Sequence, residues 1–353
     1  MKVVGKCLGR SFLVLGTVCL VVIFNLVCMI HMFCNGPSES ARDLFATTML
    51  ETGQLKFVVS LFMDESEIMQ AVENNSLVAM EEELDTDMIQ IISMNEEATA
   101  LADSIQEPIT IEEVSGRTFF AKMMIIKDPS KVKVGTTYPW GEYGKELGKI
   151  VDSYGAIAGV NGGLYQSSGN TGGRPCGIVV SEGVIQYNAC TGVTGLYLVG
   201  FNEDHILLIR DIHGMTNAQV EKLVKEERIR DAIVFQEESS DANNHFVPLL
   251  INGEARKADG LGSGANPRTA IGQRADGTVL LLVTDGRGTS GHLGATATDL
   301  IQIMEEYGAV NAANIDGGSS SSMYYNGAYE MTSVTFYYAN SSWKLPTAFI
   351  VEE

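Results

Sequence analysis

The residues best suited to chemistry gather in three short polar motifs between Asn266 and Met323. They are Asn266-Pro267-Arg268-Thr269-Ala270-Ile271-Gly272, Thr284-Asp285-Gly286-Arg287 and Asn314-Ile315-Asp316-Gly317-Gly318-Ser319-Ser320-Ser321-Ser322. Each sets a charged side chain where an apolar, strand-like run stops, and the latter two add glycines that let the backbone approach a ligand. The forked guanidinium of Arg268 matches a phosphate or carboxylate through two parallel hydrogen bonds, which a lysine cannot do; its other reading is a structural partner for an acid. Asp285 and Arg287, two apart in an extended turn, face the same way, as site residues or as a simple ion pair. Asp316, followed by Gly317, Gly318 and hydroxyl donors such as Ser320, could cradle phosphate or sugar oxygens; otherwise the segment is a plain glycine-serine loop. Two arginines and two aspartates at one cleft would suit an anionic phosphate and a bond that needs acid/base help.

Asn161-Gly162-Gly163-Leu164-Tyr165 repeats the pattern earlier in the chain. There an apolar strand delivers an amide that could hydrogen-bond a sugar hydroxyl or acetamido group, with Gly162 beside it. Other chemistries lack their signatures. No Gly-Lys-Ser/Thr follows the glycines, as a Walker motif needs, and no Gly-x-Ser-x-Gly elbow is present. His205, His213, His245 and His292 have no metal-ligand spacing, so neither a metal site nor a cofactor is expected. His292, close to the motifs, is either a proton carrier or an exposed side chain.

The elements that must position these motifs read as a sheet. From about Ile109 the chain turns to short β-branched runs bounded by glycine and asparagine. Strands are expected at 117–127, 156–161, 177–180, 184–187, 196–201, 205–210, 231–236, 278–284 and 310–315, with turns at Asn202-Glu203-Asp204 and Arg274-Ala275-Asp276-Gly277. Thr216 with Gln219, and Thr296 with Asp299, are capping boxes that open helices to about Arg228 and Tyr307, the second stopped by Gly308. Strand, helix and strand in that order predict a mixed, sheet-rich α+β domain with a few helices.

The domain occupies only part of the 353 residues. Lys2, Lys6 and Arg10 precede an uncharged apolar run from Ser11 to Phe33, long enough to cross roughly 30 Å of hydrocarbon. Basic residues before it and acidic ones after it predict a single transmembrane helix with the rest of the chain outside the cell; a cleaved secretion signal is the other reading. The expected division is an anchor over 1–34, an acidic and partly helical stem over 35–108 and a catalytic domain over 109–353. The stem holds no Lys or Arg from Phe57 through Gly116 and reads as a solvated spacer keeping the domain off the membrane. A net charge of −20 argues against nucleic acid as a partner and against electrostatic attraction to anionic lipid, since both need a basic footprint. Cys7, Cys19, Cys28 and Cys34 lie in or beside the apolar run as small apolar residues or acylation sites. Cys176 and Cys190 flank a hairpin and could meet as a disulfide or stay free.

The four motifs, in this order and spacing, resemble the phosphodiester glycosidase family, which includes the lysosomal uncovering enzyme and many bacterial proteins labelled exopolysaccharide biosynthesis proteins. The resemblance covers roughly Ile109 to Glu353. It implies hydrolysis of a sugar-phosphate diester at the anomeric carbon, releasing free sugar and a phosphomonoester. The family motifs fall on Asn161, Arg268, Asp285, Arg287 and Asp316, so the implied catalytic residues are Asp316 and Asp285. The implied substrate-binding residues are Arg268, Arg287 and Asn161, to which the reading of the loops adds Gly162, Gly317, Gly318 and Ser320. Ser319 departs from the family, which commonly has a third glycine there. A phosphorylated glycan of the cell surface or an exopolysaccharide is the expected substrate. A noncatalytic assembly factor and a phosphodiesterase cleaving the phosphorus–oxygen bond are the competing readings.

Overall fold

The computed structural model describes residues 2–52, 55–80, 82–91, 109–166, 169–240, 243–333 and 341–353, and the side chains of 2–9 and 289 are not among what it describes. Residues 92–108 of the expected stem therefore lie outside the described residues.

The sheet domain is built on a seven-stranded antiparallel sheet. Its order is Ile109–Ser115, Phe120–Ile126, Val279–Thr284, Thr269–Arg274, Ala309–Ile315, Pro248–Ile251 and Glu254–Ala255. Val279–Thr284 reads Val-Leu-Leu-Leu-Val-Thr with every residue buried, as befits a strand covered on both faces. Period-two alternation sends its side chains to two cores. Leu281 and Val283 join Ile271, Ala313 and Ile315 against the second layer. Leu280 and Leu282 join Ala270 and Ala312 under Leu300 and Met304 of the helix Ala297–Glu306.

The second layer comprises two five-stranded sheets. One runs Leu207–Asp211, Leu196–Asn202, Ile229–Gln236, Gly177–Ser181, Val184–Ala189; the other runs Ala328–Thr332, Ser322–Tyr325, Ala158–Asn161, Thr347–Val351, Val132–Thr136. Both predicted capping boxes form, opening Asn217–Glu226 and Ala297–Glu306. Gly308 ends the second helix with φ +76°, where a side chain would cost strain. Among the short strands the sequence left unread, Thr347–Val351 pairs with Val132–Thr136 on one side and with Ala158–Asn161 on the other.

The structure decides one alternative the sequence left open and revises one expectation. Cys176 and Cys190 are both free thiols. Gly177 pairs with Ala189, so each cysteine lies just beyond the ladder. Cys190 is buried in the core, while burial, with the Asp316 charge adding to it, pushes the Cys176 thiol up.

The segment read as a spacer instead lies on the domain. Helices α1 (Lys2–Asn35), α2 (Glu39–Leu50), α3 (Lys56–Ser60) and α4 (Glu65–Glu73) meet in a small core of Cys34, Ala46, Leu50, Val59, Met63, Ile68, Ala71 and Val72. Asn75 locks this bundle down: its amide donates to Ser263 O at 2.8 Å, and its Oδ1 accepts the Leu261 N–H at 2.6 Å. The chain then follows the domain surface through an isolated bridge between Leu77 and Ala258 and a bond from Gln90 N to Ala275 O. The described residues of 38–80 are thus a cap.

Candidate active site

Sheet register brings the three motifs together. Thr269 pairs with Val283 on one side and Ile315 on the other. Arg268, Asp285 and Asp316 therefore leave one edge of the sheet from three adjacent strands. They do not share one environment.

Asp316 opens into a cleft of about 860 Å³, lined also by Arg268, Arg287, Gly317, Gly318, Ser319 and Ser320. Its Oδ2 is buried without a hydrogen-bond partner among the described residues. Burial pushes its carboxyl up to about 7, against the pull of the Ser320 hydroxyl, the Gly317 N–H and the Arg287 charge. Ser320 in turn lies 2.9 Å from the Tyr165 hydroxyl, which burial and the Asp316 charge hold well above its ordinary range. The glycines have a steric reason here. A Cβ on Gly318, whose φ is +61°, would stand 2.7 Å from the Arg287 guanidinium, and one on Gly317 would stand 2.9 Å from Pro267 O. Arg287 can thus lie across the loop and donate to Ser319 Oγ at 2.7 Å. The serine that departs from the family pattern is the residue that holds this arginine.

Asp285 is absent from the cleft lining. It is 4% exposed; its Oδ1 accepts the Phe120 N–H at 2.7 Å, and its Oδ2 lies 2.6 Å from His292 Nδ1. Both oxygens are engaged in tying the turn to the Phe120–Ile126 strand and to the next loop. The ion pair between Asp285 and Arg287 that the sequence allowed does not form.

Asn161 and Gly162 also differ from the sequence reading. Asn161 is fully buried and its amide is spent on the protein. Nδ2 donates to Asp316 O at 2.5 Å, while Oδ1 accepts Thr269 Oγ1 at 2.7 Å and Ser322 N at 3.2 Å. It positions the Asp316 loop from behind and is not among the residues that line the cleft. A Cβ on Gly162 would meet Thr347 Oγ1 at 2.4 Å, so that glycine serves strand packing.

The residue that sequence reasoning missed is Glu51, at the end of α2. Its side chain is only 2% exposed and pairs with Arg268. Its Oε1 accepts the Gly264 N–H at 2.8 Å and the Asn244 amide at 3.2 Å; its Oε2 accepts the Asn266 amide at 3.1 Å as well as the Arg268 guanidinium. Backbone, amide and guanidinium donors thus converge on one carboxylate, which stands where a substrate anion of similar charge and size could stand. Nothing in the sequence around Glu51 marks it among so many acids. His245, passed over for want of metal spacing, also lines the cleft. Burial and the nearby Lys56 and Arg268 charges push its imidazole down to about 4, so it is neutral at physiological pH.

Fold and cleft together define an α+β domain with a cluster of anion-binding donors beside a desolvated carboxylate. The family model for phosphodiester glycosidase matches residues 154–352, more than half the chain, and the protein belongs to that family. Among solved structures, the chain resembles the catalytic domain of zebrafish N-acetylglucosamine-1-phosphodiester alpha-N-acetylglucosaminidase, auto-inhibited by its pro-peptide. The two share 20% identity over 71% of this chain and 85% of that one, with a TM-score of 0.52. Among curated proteins it resembles the SPbeta prophage-derived uncharacterized protein YomE of Bacillus subtilis strain 168, with 42% identity over 64 residues. That match spans 18% of this chain and about a tenth of the relative's length.

Proposed function

We propose that the protein hydrolyses sugar-phosphate diesters at the anomeric carbon, releasing free sugar and a phosphomonoester, and that the cap keeps it latent. The observation that carries this reading is the convergence of Arg268, Asn266, Asn244 and the Gly264 N–H on one anion beside the unpartnered oxygen of Asp316. In the working enzyme the substrate phosphate takes the place of the Glu51 carboxylate. The pocket then neutralises the charge that grows on the departing phosphate, in a site whose donors are already oriented. A phosphomonoester with a second pKa of roughly 6 leaves with little protonation, so acid help is a small part of the barrier. Asp316 serves as the base or nucleophile on the anomeric side, and Arg287 lies over its loop. Asp285 supports the site without touching substrate.

The zebrafish relative is described as auto-inhibited by its pro-peptide. In this chain a segment preceding the catalytic domain likewise fills the anion pocket, which supports latency until the cap withdraws. The apolar helix over Arg10–Asn35 is long enough to cross a membrane, and we place the protein as a single-pass surface enzyme with its domain outside, acting on phosphate-linked surface glycans or exopolysaccharide.

The test incubates the purified full chain, as wild type, Glu51→Gln and Asp316→Asn, with UDP-N-acetylglucosamine and a methyl-phospho-N-acetylglucosamine diester, reading products by mass. Free sugar, faster in Glu51→Gln and absent in Asp316→Asn, is the expected result. Sugar 1-phosphate would move the cleavage to the phosphorus–oxygen bond. Binding without turnover in the wild type and in Glu51→Gln would leave an assembly factor.

A further inference from the structure

The cap carries an apolar face that the catalytic reading does not use. Along α3 and the turn after it, Val59 and Met63 point into the small core. Phe57 and Leu61, two residues out of phase and so on the opposite side of a helix, are 60% and 69% exposed; Leu55, just before α3, is 45% exposed. Between Leu55 and Met63 the chain has no acidic residue, in a protein of net charge −20, and its one charge is Lys56.

The position of this face identifies what meets it. Phe62 packs with its ring centroid 6.5 Å from that of His31, and Phe45 stacks on Phe33 at 5.4 Å; His31 and Phe33 belong to the last turns of α1. Leu61 is thus beside the end of the apolar helix, whose own Met29, Met32 and Phe33 are exposed. Exposed apolar side chains thus stand both at the end of the helix and on the cap that packs against it.

We infer that Phe57 and Leu61, with Leu55, dock in the headgroup and upper acyl region of the membrane that α1 enters, as the apolar face of an interfacial helix does. The inference rests on the reading of α1 as a retained span. Leu55 also lines the cleft, so the surface that meets lipid borders the entrance to the site and ties the seating of the cap to the bilayer.

The test reconstitutes the full chain in phosphatidylglycerol–phosphatidylethanolamine vesicles with or without brominated acyl chains. It compares wild type with Phe57→Trp, Leu61→Trp and, as a control on an exposed strand of another sheet, Val184→Trp. Native Trp140 and Trp343 set the wild-type baseline. The expected result is loss of most of the added emission at positions 57 and 61 in brominated vesicles, with none of the added emission lost at 184. Equal emission at all three positions would overturn the inference. So would cross-linking between copies through position 61, or an intact mass showing that α1 has been removed. Diester turnover is followed in the same vesicles. Quenching with no turnover even when Glu51→Gln is added to each protein would sink the glycosidase reading and leave the membrane face standing; turnover without quenching would do the reverse.

Discussion

Asp285 and Asp316 end two strands that flank the same neighbour, Thr269–Arg274, and in sequence they look like equals: each follows an apolar run and precedes a glycine. In the fold they diverge. Asp285 spends both oxygens on Phe120 and His292, whereas Asp316 keeps one oxygen buried and unpartnered at the edge of a cleft. A fully satisfied carboxylate is a structural tie. One that is desolvated without full compensation is unstable as an anion and therefore available for chemistry.

The sharpest way to break this contrast is to remove each charge in turn. Asp316→Asn should lower kcat by about 10³-fold or more, within the range for a positioned acid/base group, while kcat in Asp285→Asn should fall far less. A steady-state comparison on a soluble diester, made in the Glu51→Gln background in which the pocket is freed, decides it, and equal losses would dissolve the distinction. Arg268→Lys should come next, costing kcat/KM about 10- to 100-fold, because the forked geometry goes even though the charge stays.

The raised carboxyl sharpens the comparison through pH. If Asp316 acts as base or nucleophile, kcat/KM should climb as pH rises through about 7. The sign for stability is opposite. A carboxyl raised from its ordinary 3.8 favours the folded state while protonated, and that contribution fades between about pH 4 and pH 7. Asp316→Asn should therefore gain stability relative to wild type above pH 7 and lose that advantage at pH 4, measured by urea unfolding across the range. Asp285→Asn should show the contrary: a loss of about 1–3 kcal/mol at neutral pH, as a buried hydrogen-bonding group loses its partner. The smallest effect is expected at Ser319→Gly, which restores the family's glycine and removes one hydrogen bond to Arg287. About 1 kcal/mol, read as a modest rise in KM, is the expected size.

Much of the scaffold was legible because its signals are local. Both capping boxes, the stop at Gly308, the Asp276-Gly277 turn and the all-apolar Val279–Val283 strand depend on neighbours within a few residues, and each formed where the spacing placed it. The loop glycines were legible too, since a row of Gly-Gly after a strand end announces close approach. The short strands Ser322–Tyr325 and Thr347–Val351 were not, because their pairing partner Ala158–Asn161 lies far off in sequence.

By itself the sequence determined the sheet-rich character of the domain, its helix ends and the polar motifs that the strands present at one edge. Tertiary structure alone decided which aspartate is desolvated, that Asn161 turns inward to hold a loop, and that a stretch of acidic stem folds back as a cap. Glu51 and Arg268 stand 217 residues apart, and no periodicity or capping rule reaches that far. Burial and ion pairing depend on what packs around a side chain in space, so the chemical state of a charge is settled only when the distant parts of the chain have closed over it.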